Sequence, residues 1–79
     1  MTQSQLISHA IAVLQVRQMG GARRWIIPEL DGLVDFDFTE QEEAGLIKYR
    51  KADEYAAYKL TPAGFHLSDE LIATAGEVL

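Results

Sequence analysis

The chain has 79 residues, 48% of them hydrophobic, no cysteine and a formal net charge of −5. Such a composition predicts a single folded domain, and it argues against a disordered chain, a disulfide framework and a thiolate metal site. No apolar run is long enough for a membrane span and the N-terminus lacks a signal-peptide pattern, so we expect a cytoplasmic protein.

The first predicted element is a helix that begins at Thr2 or Ser4 and runs to about Met19. Its apolar residues recur at three- and four-residue spacing, and Gly20-Gly21 ends it because glycine adopts the left-handed conformation at little cost. The apolar face is wider than one small core needs, so it is expected to be buried either in the core or against a second copy of the chain. It consists of Leu6, Ile7, Ala10, Ile11, Val13, Leu14 and Val16.

Two short elements are predicted next. Residues 24–27 favour a short strand that Pro28 stops, and residues 28–30 suit the first turn of a short helix with proline at its first position. The following segment, residues 33–38, is ambiguous between strand and loop. Its aromatic residues alternate with acids as in a half-buried strand, which would give a sheet of three or four strands flanked by two longer helices.

A further short helix and a hairpin are predicted after residue 38. Thr39 with Glu42 fits a capping box, and Gly45 ends the helix that it starts. Residues 46–51 and 55–60 predict a hairpin around the tip Ala52-Asp53. Since strand side chains alternate, one face points inward and the other outward. The inward set is Ile47, Tyr49, Ala56, Tyr58 and Leu60, and the outward set is Lys48, Arg50, Tyr55 and Lys59.

The last predicted element is a helix capped by Thr61 and opened by Pro62, running towards Val78. Ser68 offers a second start for this helix, which would leave Gly64 in a turn. The apolar first and last helices together form a candidate homodimer seam.

The acidic and basic residues occupy different parts of the chain. Seven acidic residues and no basic residue lie between Glu29 and Glu43, with basic residues on both sides. An acidic surface repels phosphate, whereas a basic one attracts phosphate or acidic partners. The acidic stretch is interpreted as a solvated face of an acidic protein. The alternative is that its carboxylates imitate nucleic-acid phosphates in the DNA site of a partner. The candidate acidic surface consists of Asp35, Asp37, Glu40 and Glu43.

The stretches EEAGLI (residues 42–47) and YKLTPAG (residues 58–64) resemble the junction and wing return of winged helix-turn-helix regulators. The order of predicted elements resembles that family over nearly the whole chain. The resemblance implies a small α+β winged-helix domain: helix, short strand, two short helices, hairpin wing and C-terminal helix. It also implies a DNA-reading helix presenting Thr39, Glu40, Gln41 and Glu43, and a basic wing with Lys48, Arg50, Lys51 and Lys59.

We predict a non-enzymatic regulatory or interaction module that binds a protein partner. The implied reading helix is short and acidic, and carboxylates close to phosphates cost Coulomb energy. A DNA-binding transcriptional regulator that uses its basic wing is the alternative. Trp25 is expected in the core or as a partner anchor. The candidate contacts are Lys48, Arg50, Lys51, Tyr55 and Lys59 on the wing, together with Arg23, Arg24 and Trp25.

Catalysis, a cofactor and a metal site are not expected. No nucleophile beside a base and no glycine-rich phosphate loop is recognisable. Residues 35–37 lack the rest of a calcium loop, and the spacing of His66, Asp69 and Glu70 favours a hydrogen-bond cluster at a helix start over a metal site. His9 is predicted to be a structural histidine.

Overall fold

The computed structural model describes residues 2–33 and 35–78. They form a small α+β domain in which α3 packs against α1. No helix in this part of the chain is both long and apolar enough to cross a membrane. The elements in chain order are helix α1 (Gln3–Gln18), helix α2 (Thr39–Glu43), strand β1 (Ile47–Ala52), strand β2 (Tyr55–Leu60) and helix α3 (Pro62–Val78).

Helix α1 begins and ends where its sequence predicts. The Thr2 hydroxyl accepts a hydrogen bond from the Gln5 amide at 3.1 Å, and the Gln5 side chain accepts one from the Thr2 amide at 2.9 Å. At the other end Gly20 has φ 95°, and the Gly21 amide donates to the Val16 carbonyl at 2.8 Å. This pattern satisfies the last carbonyls of a helix.

The hairpin pairs β1 with β2 in an antiparallel register that places Lys48 opposite Lys59 and Tyr49 opposite Tyr58. Its tip is the two-residue turn Asp53-Glu54, one residue later than predicted. Asp53 has φ 55°, and aspartate tolerates this left-handed conformation better than most residues.

The strand predicted for residues 24–27 is reduced to one bridging residue. The Ile26 amide and carbonyl exchange hydrogen bonds of 2.8 Å with those of Tyr58, so β2 lies between Ile26 and β1. The predicted helix at residues 28–30 is also wrong. Residues 28–32 form turns in which the Leu30 and Asp31 amides both donate to the Ile27 carbonyl, at 3.0 and 3.2 Å. Gly32 then takes φ 88° and stops the helical turn from continuing.

The segment of residues 33–38 forms no strand at the positions that the structure describes, which exclude Val34. The predicted alternation is nevertheless present in the burial, because Phe38 is buried and Phe36 half-buried while Asp35 and Asp37 are exposed. Both phenylalanine rings meet Tyr58 edge-on, at 5.5 and 4.9 Å between centroids. Packing against the Tyr58 ring therefore holds the two phenylalanines of this segment in place, without the hydrogen bonds of a strand.

The EEAGLI and YKLTPAG stretches meet at a junction between α2, β1 and α3. The Thr61 hydroxyl donates to the Gly45 carbonyl at 2.5 Å and accepts from the Gly64 amide at 3.0 Å. The Thr61 amide donates to the Leu46 carbonyl at 3.1 Å. Thr61 thus caps α3 and ties its start to the end of α2. The alternative start at Ser68 is wrong, and Gly64 lies inside the helix.

Gly45 closes α2 with φ 75°, as predicted. A Cβ at this position would meet no atom within 4 Å, so Gly45→Ala tests backbone conformation alone. We expect this change to lower the free energy of unfolding by about 1 kcal/mol, measured by urea denaturation. Gly45→Asn is the control, because asparagine enters the left-handed region more readily than alanine. Equal stability of Gly45→Ala and the wild type would contradict this account.

The core lies between α1, the inward face of the hairpin and residues 36–38. Burial raises the pKa of Tyr58, with smaller contributions from nearby negative charge. Its ring is the centre of the aromatic cluster with Phe36 and Phe38. The buried apolar residues that form this core are Ala12, Val13, Val16, Ile26, Phe38, Ile47, Tyr58 and Leu60.

Candidate functional site

The predicted wing residues divide between the two faces of the hairpin. The register places Lys48, Arg50, Tyr55 and Lys59 together on the outward face, as predicted. Lys51 pairs with Ala56 and lies on the other face, so it does not belong to this group. Tyr49 is on the inward face, where its ring centroid lies 5.6 Å from that of Tyr58, but it is still 49% exposed.

Trp25 stands on the outward face of the hairpin and not in the core. The Arg50 guanidinium carbon lies 4.6 Å from the centroid of the Trp25 ring, within the range of a cation–π contact. Trp25 is half-buried and Ala57, on the same face of β2, is 1% exposed. The segment after α1 therefore covers part of the hairpin surface that the sequence predicts to be open.

A cavity of about 360 Å³ adjoins the outward face, and we call it the basic cavity. Three of its lining residues are the cations Arg23, Lys48 and Lys59, and none is acidic. Arg24 lies outside it, with its guanidinium 3.5 Å from the Met19 carbonyl. The other residues that line the basic cavity are Ala22, Leu60, Thr61, Pro62, Phe65 and His66.

Residues in the first half of α3 contact Arg17 of α1. Arg17 donates to the Ser68 hydroxyl at 2.8 Å and to the Asp69 carboxylate at 2.6 Å, and its guanidinium lies 4.7 Å from the Phe65 centroid. Within residues 2–33 and 35–78, no three histidine, aspartate or glutamate residues form a group that could hold a metal ion. The sequence predicts a hydrogen-bond cluster of His66, Asp69 and Glu70. In the structure, Asp69 instead accepts a hydrogen bond from Arg17 of α1.

A second cavity, of about 420 Å³, lies between α1 and residues 35–38, and we call it the groove. Ile7 and Ile11 line it from α1, at 53% and 61% exposure. Phe36 and the carboxylates of Asp35 and Asp37 lie on the opposite wall. The remaining residues around the groove are Ser4, Ser8, Ala12, Gln15, Phe38 and Gln41.

Gln41 connects α2 to α1 at the base of the groove. It is 1% exposed, and its amide nitrogen lies 3.2 Å from the Ser8 hydroxyl and 2.9 Å from Nδ1 of His9, itself 5% exposed. The Gln41 amide nitrogen is a donor, so Nδ1 of His9 is the acceptor in this contact. His9 is thus structural, as predicted. The sequence places Gln41 on an exposed reading surface, and this interpretation is wrong.

The helices present an apolar surface without charge, which we call the uncharged helix surface. It consists of Leu6, Ile7 and Ile11 of α1 and Ile72 of α3, each at least 46% exposed. No charged residue lies between Gln3 and Val16, and residues 72–76 of α3 are all exposed. The apolar surplus predicted for α1 is therefore real, and in this chain alone it faces solvent.

The start of α2 is capped by Asp37 and not by the predicted capping box of Thr39 and Glu42. The Asp37 carboxylate accepts from the Thr39 hydroxyl at 2.6 Å and from the Thr39 amide at 2.9 Å. These hydrogen bonds, the hydroxyl first, lower the pKa of Asp37 below its usual 3.8. Phe38 becomes the N-cap residue without a side-chain bond of its own.

Asp37 is expected to make stability depend on pH in acid. Because its folded pKa lies below its unfolded pKa, its contribution is fully present above the unfolded pKa and is lost as pH falls through the folded value. The stability difference between the wild type and Asp37→Asn is therefore expected to shrink below about pH 4. Urea denaturation at several pH values measures it, with Asp35→Asn as a control that does not cap α2. A difference that stays constant down to about pH 2 would contradict this role.

The predicted acidic surface is present along α2 and the segment before it. Asp35, Asp37, Glu40 and Glu43 are all exposed. The hairpin cations lie on β1 and β2. The acidic and basic residues, which are separate along the sequence, therefore also lie on different elements of the fold.

Comparison of the chain with protein-family models, curated proteins and solved structures finds no match.

Proposed function

We propose that this chain is a non-enzymatic interaction module that binds a protein partner through the uncharged helix surface and the groove beside it. The observation that carries the proposal is the exposure of Ile7 and Ile11 on a helix with no charged residue from Gln3 to Val16. Moving such exposed aliphatic side chains out of water and against a partner is favourable. Contiguous exposed apolar surface on a small protein marks a contact site.

The groove defines what such a partner presents. Ile7, Ile11 and Phe36 are among its apolar residues, and they suit aliphatic or aromatic side chains of the partner. Asp35 and Asp37 on one wall favour a lysine or arginine beside them, since opposite charges at an interface give specificity. The partner segment is therefore expected to combine apolar anchors with flanking basic residues.

The proposed architecture is winged-helix-like. The first strand is reduced to the bridge at Ile26, and the helix that follows it is reduced to turns. The order of α1, the Ile26 bridge, α2, the hairpin and α3 supports this assignment, as does the place of Ile26 beside β2. A DNA-reading role for α2 is disfavoured. The helix has five residues, its Gln41 is buried, and three of its residues are glutamates.

The proposal is tested by comparing Ile11→Glu with Leu30→Glu. Ile11 is 61% exposed and lines the groove, whereas Leu30 is 62% exposed in the turn after Pro28. The tagged chain is used to capture its partner from lysate of the native host, with and without nuclease. We expect capture by the wild type and by Leu30→Glu, and a loss of about tenfold or more for Ile11→Glu, because a buried unpaired charge is costly.

Two results would contradict the proposal. Capture by Ile11→Glu equal to that of the wild type would exclude the groove as the contact. Release of the partner by nuclease would favour the alternative, DNA binding through the basic wing. Both variants are expected to melt within a few degrees of the wild type, since each replaces an exposed side chain.

A homodimer through the first and last helices is a second candidate for the same surface. The exposure of residues 72–76, with Ile72 at 48%, favours it. Sedimentation of the purified chain at micromolar concentration distinguishes the two candidates. A dimer that Ile11→Glu dissociates and Leu30→Glu does not would assign the surface to a second copy, whereas a monomer would assign it to a different protein.

A further inference from the structure

We propose that the basic cavity binds a small organic phosphate. Arg23, Lys48 and Lys59 line it from three different segments: the loop after α1, strand β1 and strand β2. The chain has 12 acidic residues and 7 basic ones, yet no acid lines this cavity. This surface lies apart from the groove, so the inference does not depend on the proposed protein-binding function.

The register of the hairpin brings two lysines of the basic cavity close together, and their repulsion costs stability when no anion is bound. Lys48 and Lys59 are directly opposite one another, and like charges in this arrangement repel. Among the side chains that the structure describes, the one ion pair is that of Arg17 with Asp69. The charges of the basic cavity are therefore not offset within the described chain. A bound dianion offsets them, because phosphate oxygens accept hydrogen bonds from lysine and arginine together.

The remaining lining residues indicate what accompanies the phosphate. Leu60, Pro62 and Phe65 give the cavity an apolar side that suits a hydrocarbon or aromatic body. A volume of about 360 Å³ falls at the lower end of the range for small-molecule sites, roughly 300–1,000 Å³. The Thr61 hydroxyl is already used by Gly45 and Gly64, so the three cations and the His66 imidazole supply the polar contacts.

The test is a titration of the full chain with phenyl phosphate, inorganic phosphate and benzoate at constant ionic strength. Backbone amide shifts around Arg23, Lys48 and Lys59 give the affinity, and thermal melts give an independent measure. We expect phenyl phosphate to bind more tightly than inorganic phosphate or benzoate. The double variant Lys48→Gln/Lys59→Gln is expected to weaken phenyl phosphate at least about tenfold, as loss of charge-assisted hydrogen bonds predicts.

Lys51→Gln is the matched control, because Lys51 lies on the same strand but on the opposite face. It removes one positive charge, as each half of the double variant does, and it is expected to leave phenyl phosphate affinity unchanged. Equal affinity of the wild type and the double variant, or an equal loss in Lys51→Gln, would overturn the proposal. The proposal would also be overturned if a short DNA duplex displaced phenyl phosphate at a lower concentration than inorganic phosphate does, and if this displacement required Lys48 and Lys59. That result would assign the cavity to nucleic acid.

Discussion

Gly64→Ala is expected to be strongly destabilising. Leaving aside Gly20 and Gly21 at the end of α1, we expect it to cost more than Gly→Ala at any other described glycine. The Gly64 Cα packs directly against the backbone of Leu46, and a Cβ there would overlap the Leu46 carbonyl oxygen and lie 2.9 Å from its carbonyl carbon. A backbone atom cannot move aside as a flexible side chain can. The start of α3 would have to shift away from the junction that Thr61 organises.

We expect Gly64→Ala to lower the free energy of unfolding by on the order of 3 kcal/mol, and the melting temperature by more than about 10 °C. Gly76→Ala is the control, because it is the same change in the same helix with no atom within 4 Å of the new Cβ. Alanine favours the helix over glycine, so the control is expected to be neutral or stabilising by up to about 1 kcal/mol. Similar melting temperatures for the two variants would mean that α3 does not approach Leu46 this closely.

Gln41→Ala is the second change with a large expected effect. It removes a fully buried side chain and leaves Nδ1 of His9 without its partner in the α1–α2 contact. Helix α2 has five residues and depends on packing for its stability, since isolated helices of this length do not form. We expect a loss of about 2–4 kcal/mol in urea denaturation.

Two further variants separate the causes of this loss. Gln41→Leu keeps the volume but not the hydrogen bonds, and it is expected to cost about 1–3 kcal/mol. Gln15→Ala makes the same truncation at a half-buried position in the groove, with an expected effect within about 0.5 kcal/mol. If Gln41→Ala were as stable as Gln15→Ala, the polar contact between α1 and α2 would not hold the short helix in place.

Local signals in the sequence predict the ends of elements and the hairpin register well. Gly20-Gly21, Gly45 and Thr61-Pro62 act through backbone conformation and capping, which depend on few neighbours. The outward face of the hairpin follows from the alternation of side chains along its strands. These features are sufficient to predict α1, both strands and α3 within about two residues.

The errors occur where tertiary contacts decide the structure. Phe36 and Phe38 have the period of a strand, but they pack on Tyr58 and pair with no neighbouring strand. Gln41 is polar and lies in a helix too short to show a buried face, so no periodicity signals its burial. Trp25 is as hydrophobic as a core residue, but it lies outside the core, where its ring contacts the Arg50 guanidinium.

The groove and the basic cavity could be predicted only in part, because both depend on tertiary contacts. The apolar surplus on α1 is visible in the sequence, because Leu6, Ile7 and Ile11 exceed what one core requires. Which of the apolar positions on this helix are buried is decided by the placement of α3 and residues 35–38 around it. The basic cavity likewise needs Arg23 to approach the hairpin, and this approach depends on the path of the chain after Gly21.

Photo-crosslinking of the captured complex tests the central claim, that the groove is the protein contact. A photoreactive phenylalanine analogue is placed in turn at Ile11, Leu30 and Lys48, all exposed positions on different parts of the surface. If the groove is the contact, position 11 crosslinks to the partner and positions 30 and 48 do not. A crosslink from position 48 without one from position 11 would contradict it, because the partner would then lie on the basic hairpin.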